Sequence, residues 1–154
     1  MVFREGMQDP IITLRNIFLA PPPLTDAAGN PIDVFPYYNE RILAERKKVW
    51  VAIGEPSGTT PRDTWLSLRG MGHRYWRSWR YPVYVGGWDI ESIKKVVQDI
   101  ARKIKNEATN HTAAPEYIEF MYVENWGGFE QEEEDVAPPM IITVVNIVIE
   151  YIEI

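Results

Sequence analysis

Cysteine is absent from the 154 residues, so disulfides, thiolate catalysis and cysteine-ligated metals are excluded together. Histidine is nearly absent too. His73 and His111 are the only two, and neither HRYW nor NHTA carries a second ligand at metal spacing, so both read as ordinary surface or interface histidines. No stretch reaches the roughly 18 apolar residues of a membrane span. Met1 to Asp9 carries Arg4, Glu5 and Asp9 without the apolar core of a signal peptide. The expectation is a soluble protein with no membrane partner, no metal and no cofactor.

Negative charge is also missing from one place. Between Asp63 and Asp89 there is no carboxylate, although the chain as a whole carries a formal charge of −6. That gap holds Arg69, His73, Arg74, Arg77 and Arg80 among Trp65, Tyr75, Trp76, Trp79, Tyr81, Tyr84 and Trp88, with four of the six tryptophans. Arginine and tryptophan are enriched where macromolecules grip each other. The stretch reads as a subunit interface, as a single-stranded nucleic-acid surface with rings for stacking, or as a strand with one buried side. In a strand register Tyr75, Arg77, Trp79, Tyr81, Val83 and Val85 share one side, and Trp76, Ser78, Arg80 and Tyr84 the other. Neither side is purely apolar, which favours the interface. The acidic total weakens the nucleic-acid reading.

The length suits a single domain, with residues 1–35 as an N-terminal helix and extended arm and 36–154 as a sheet-and-helix core. Pro10 to Leu19 has apolar residues at helical spacing behind Asp9 and Pro10. Pro21, Pro22 and Pro23, followed by TDAAGNP, make a stiff connector or exposed arm. A second helix is possible over Asn39 to Lys48, before a strand at VWVAI (49–53). Further strands are expected at Thr64 to Arg69 and Tyr75 to Val85, part of the latter at an edge or bulge because Pro82 lacks a donor. Ile90 to about Asn106 is the clearest helix, with Ile90, Ile93, Val96, Val97, Ile100, Ala101 and Ile104 on one face and Asp89 as its N-cap. Lys94, Lys95, Arg102, Lys103 and Lys105 lie off that stripe, on a wet face. YIEFMYVE (117–124) reads as a strand of imperfect alternation. MIITVVNIVIEYIEI (140–154) reads as a long or central antiparallel strand. The fold class expected is α+β: an antiparallel or mixed sheet with one long amphipathic helix packed across it.

Candidate chemistry is sparse. GEPSGTT (54–60) lacks the lysine and following helix of a phosphate loop and reads as a hairpin or loop. GMGH and VGGW read as turns. The serines have no nucleophile-elbow context. Glu130, Glu132, Glu133, Glu134 and Asp135 form an acidic run between Gly127-Gly128 and Pro138-Pro139, read as a solvated mobile loop. It could instead meet the arginine surface of another subunit head to tail, an arrangement that closes into a ring when the rotation permits.

The order of a short N-terminal helix, a proline-broken arm, strands at VWVAI and SWRYPVYV, the linking GGW, the helix DIESIKKVVQDIARKI and the closing strand MIITVVNIVIEYIEI resembles the tail-terminator and tail-completion proteins of long-tailed phages and related viruses. That resemblance implies a hexameric ring at the head-proximal end of a tail tube, which stops tube growth and joins tail to neck. The expectation is then a non-enzymatic virion protein assembled in host cytoplasm, with other copies, tube and connector proteins as partners and DNA passing without specific binding. Arg69, Arg74, Trp76, Arg77, Trp79, Arg80 and Tyr81 would hold the adjacent subunit. Glu130 to Asp135 would face a partner or the lumen, and Ile11 to Pro23 would reach a neighbour. A nucleic-acid-binding or regulatory module and a small carboxylate enzyme are the alternatives.

Overall fold

Apolar residues spaced three and four apart give each helix one oily stripe, and both stripes settle on the same side of one β-sheet. The computed structural model describes residues 10–38, 48–58, 62–63, 75–110, 118–126, 130–132 and 140–153. Helix α1 spans Pro10–Leu19 and helix α2 Ile90–Asn110. The strands are β1 Asp33–Phe35, β2 Trp50–Ile53, β3 Ser57–Gly58, β4 Arg62–Asp63, β5 Tyr75–Gly87, β6 Ile118–Trp126, β7 Glu130–Glu132 and β8 Met140–Glu153. They form one mixed sheet of order β1-β2-β5-β8-β6, with β3 and β4 added along β5 and β7 along β8. Only β1 and β2 run parallel among the described pairs. The chain is thus an α+β fold, with α2 packed against the sheet.

Two long strands form the spine. β5 and β8 pair antiparallel over thirteen positions, from Tyr75 opposite Glu153 to Gly87 opposite Ile141. Their β-branched residues suit a pleated surface, and alternation sends Tyr81, Val83, Val85, Val145, Ile147 and Ile149 into the core beneath the helices. α1 adds Leu14, Ile17 and Phe18, and α2 adds Ile93, Val96, Val97, Ile100 and Ile104. Asp89 caps α2 as its sequence suggests: Glu91 N–H donates to its carboxylate at 3.2 Å and Ile93 N–H to its carbonyl at 3.1 Å.

β5 as a whole is an interior strand with partners on both sides, while Pro82 itself lies at a local break in the pairing, where the sequence places an edge or bulge. A strand residue points its N–H and C=O the same way. The Pro82 carbonyl accepts from Gly54 N–H at 2.7 Å, so the absent donor also faces the Gly54 side. There the partner strand is interrupted, β2 ending at Ile53 opposite Val83 and β3 starting at Ser57 opposite Arg80. Proline sits in an interior strand at a break that needs no donor.

The arm is likewise tied down. Leu24 is buried, Ile32 N–H donates to the Leu24 carbonyl, and β1 aligns beside β2. Asp26 accepts from the backbones of Ala28 and Asn30, closing a turn that Gly29 completes at φ 87°. The Asn30 donor, aided by Ala28 and Gly29, holds its carboxyl below the usual aspartate range against the opposing effect of burial. Lys95 and Lys103, expected on a wet face, instead hold this arm. Lys103 donates to the Ala20 carbonyl at 2.7 Å and Lys95 to the Thr25 hydroxyl at 2.9 Å. The possible helix over Asn39 to Lys48 falls almost wholly outside the described residues, as do the strand at Thr64 to Arg69, the turn GMGH and both histidines.

Candidate functional site

Strand alternation splits the arginine and tryptophan residues between two faces of the sheet. Tyr81 is fully buried in the core, which corrects its assignment to a subunit interface. Its ring belongs to the odd-numbered series that the helices cover. Trp79 is on the same side, half-buried, and donates its indole N–H to the Tyr151 hydroxyl at 3.0 Å. A Cβ placed on Gly58, directly across the ladder, would overlap the Trp79 ring, so the indole packs closely over the glycine. Trp79 therefore holds the fold, and replacing it with alanine would not be a neutral probe of assembly. Arg77 is half-buried on that side, opposite Tyr151. Trp76 is placed by its backbone opposite Ile152. Arg69 and Arg74 lie outside the described residues.

Arg80 faces the other way, on the side that carries neither helix. Its guanidinium grips Glu124 of β6 with two hydrogen bonds, Nε to Oε2 at 2.5 Å and Nη2 to Oε1 at 2.7 Å. The paired carboxylate holds Arg80 more firmly protonated than a free arginine. Beside the pair lies Tyr122. Burial, then the Glu150 and Glu124 charges, push its phenol above the ordinary tyrosine value, while Arg80 pulls the other way. Ser57, Gly58, Ser78 and Val148 complete a shallow cavity of about 130 Å³ around these groups. Phe120, two residues before Tyr122 and so on the same face, is 53% exposed, and Tyr122 is 43% exposed.

The helix-free face is not uniform. At its β2 end Trp50, Ala52 and Ile142 are buried beneath Phe35, Tyr38, Tyr84 and Trp88. Tyr38 stacks on Tyr84 at a centroid distance of 4.0 Å. Trp50 spreads over Gly86, its ladder partner, where a Cβ would overlap the indole. Beyond this cluster, toward β6, the aromatics stand in solvent.

The acidic run also departs from expectation. Glu130 to Glu132 form strand β7, with Glu130 opposite Ile142 and Glu132 opposite Met140, rather than the start of a loop. The cause is β8, whose first residues extend past the last β6 partner, Trp126 opposite Val145, and leave an edge to fill. Glu133, Glu134 and Asp135 lie outside the described residues. Arg80 stands opposite Val148, six residues along β8 from Ile142. The acidic strand is therefore about 20 Å away from it along the sheet. Pro21, Pro22 and Pro23 are exposed, but the arm on either side of them is bound to its own α2.

Sequence reasoning did not single out Phe120, Tyr122, Glu124 or Val148. The available signal is the apolar run Phe120-Met121-Tyr122-Val123, which fills both sides of β6, although β6 ends the strand order and packs only one side against α2. Register shifts between Ile118 and Phe120 and between Val123 and Asn125 obscure the alternation. The chain matches no model of a known protein family, and no curated protein matches it either.

Proposed function

We propose that this chain is a structural assembly subunit that works through its surfaces and not by catalysis. The observation that carries the reading is the exposed pair Phe120 and Tyr122 on the side of the sheet opposite the helices, with Tyr122 beside the Arg80–Glu124 clamp. Aromatic side chains next to a bidentate arginine are the kind of anchor that protein interfaces bury. Rings on a sheet face can also stack nucleic-acid bases. Glu124 and Glu150 beside Tyr122, and the formal charge of −6, argue against phosphate there. The order of elements that carries the family resemblance supports a ring-forming tail terminator or neck subunit, located in a virion, with tube and connector proteins as partners.

Light scattering and negative-stain micrographs of the purified protein test this reading. Rings or closed oligomers are expected, and the double variant Phe120→Ser with Tyr122→Ser should assemble at least about tenfold more weakly, as loss of hot-spot aromatics does. A strict monomer at low salt and high protein concentration would overturn self-assembly. Binding to a single-stranded oligonucleotide with a steep salt slope would favour the nucleic-acid reading instead.

A further inference from the structure

A second surface lies on the helix side, where the arm crosses α2. Pro22 and Pro23 from the arm and Lys95, Asp99, Arg102 and Lys103 from the helix line a groove of about 330 Å³. α2 itself carries five basic and three acidic side chains, in a protein whose formal charge is −6. Donor capacity in the groove is only partly used. An ammonium has three donors and a guanidinium five. Lys103 makes one hydrogen bond among the described residues, to the Ala20 carbonyl. Arg102 reaches Asp99 through Nη1 at 3.3 Å with 71% of its side chain exposed. Asp99, the groove's carboxylate, is already matched by Lys95 at 2.9 Å as well as by Arg102. The unspent hydrogen-bonding capacity is that of cations, and it suits a carboxylate-rich ligand.

We propose that this groove receives the acidic run Glu130 to Asp135 of a second copy of the chain. The inference rests on the assembly reading and names which surfaces mate. The run supplies five carboxylates in six residues. Within one chain the two features are held apart. β7 is hydrogen-bonded to the start of β8, next to Ile141, which pairs with Gly87. α2 begins shortly after Gly87 and reaches Arg102 twelve residues later. At 1.5 Å per residue that is about 18 Å. Complementary patches at separate places on one surface favour a head-to-tail contact, which propagates or closes into a ring. On this proposal the acidic run meets the groove instead of the arginine-rich strand, where Arg80 is already paired with Glu124.

A charge swap tests the assignment. Two variants are compared with the native chain by light scattering at low salt: Arg102→Glu, and the triple change Glu132→Lys, Glu133→Lys and Glu134→Lys. Circular dichroism verifies folding, and Arg102→Gln serves in place of the reversal should that variant unfold. Each variant alone should assemble at least about tenfold more weakly, because like charges are brought together. An equimolar mixture should recover mixed oligomers. If the native chain assembles and both variants assemble equally well, the groove is wrongly assigned while the assembly reading stands. A monomeric native chain would overturn both. Loss of binding to inorganic phosphate or an oligonucleotide, with assembly unchanged, would make the groove an anion site for another ligand and also overturn the proposal.

Discussion

The two faces of β5 and β8 are built from the same thirteen paired positions, yet one is sealed beneath the helices and the other is covered only in part, by the cluster near β2. Odd-numbered Tyr81, Val83, Val85, Val145, Ile147 and Ile149 lie under the helices, while even-numbered Arg80 stands in solvent and Tyr84 is half-covered. The side-chain period of two is all that separates them, and a slip of one residue would exchange fold and surface. Stability should therefore reside on one face and recognition on the other.

The largest expected effect is on the sealed face. Ile100→Ala removes a fully buried side chain where α2 meets the core. It should cost about 2–5 kcal/mol, read from urea denaturation midpoints. Gly86→Ala comes next. The added methyl would enter the Trp50 indole on the other face of the sheet, within the small cluster near β2. Overpacking of this kind costs about 1–3 kcal/mol. A neutral result would mean that this cluster yields easily and belongs with the open surface. Phe120→Ser with Tyr122→Ser should change unfolding free energy by only about 0.5 kcal/mol, despite the assembly defect expected of the same variant. A loss comparable to that of Ile100→Ala would dissolve the distinction between the faces.

Much of the sealed face was legible in the sequence, for physical reasons. The α2 stripe repeats at helical spacing over several turns, Asp89 marks its start, and β-branched residues fill β8. The open face and the arm were harder to read. β1 is a three-residue strand whose parallel partner comes from a distant segment, so no local pattern announces it. Pro82 reads as an edge signal because the coincident gap between β2 and β3 is a tertiary fact. Lys95 and Lys103 sit where a helical wheel puts solvent, but the arm returns to cover that position. Arg80 and Glu124 are forty-four residues apart, and only the pairing of both β5 and β6 with β8 brings them together.

The smallest effect is expected at that ion pair. The side chains of Arg80 and Glu124 are 51% and 36% exposed, so water and salt screen much of their attraction. Arg80→Ala should leave the thermal midpoint unchanged within error. Its consequence should appear instead in the titration of Tyr122. Burial, Glu150 and Glu124 all favour the neutral phenol, and Arg80 alone among the named influences favours the phenolate. Removing that cation while leaving both carboxylates must raise the phenol further above its ordinary value. The difference in phenolate absorbance between Arg80→Ala and its Tyr122→Phe derivative isolates this residue from the other tyrosines, and the native chain is compared with its own derivative in the same way. A shift to higher pH places the clamp and the exposed ring in one electrostatic unit on the open face. No shift, or a downward one, would mean that Arg80 does not face Tyr122 in solution.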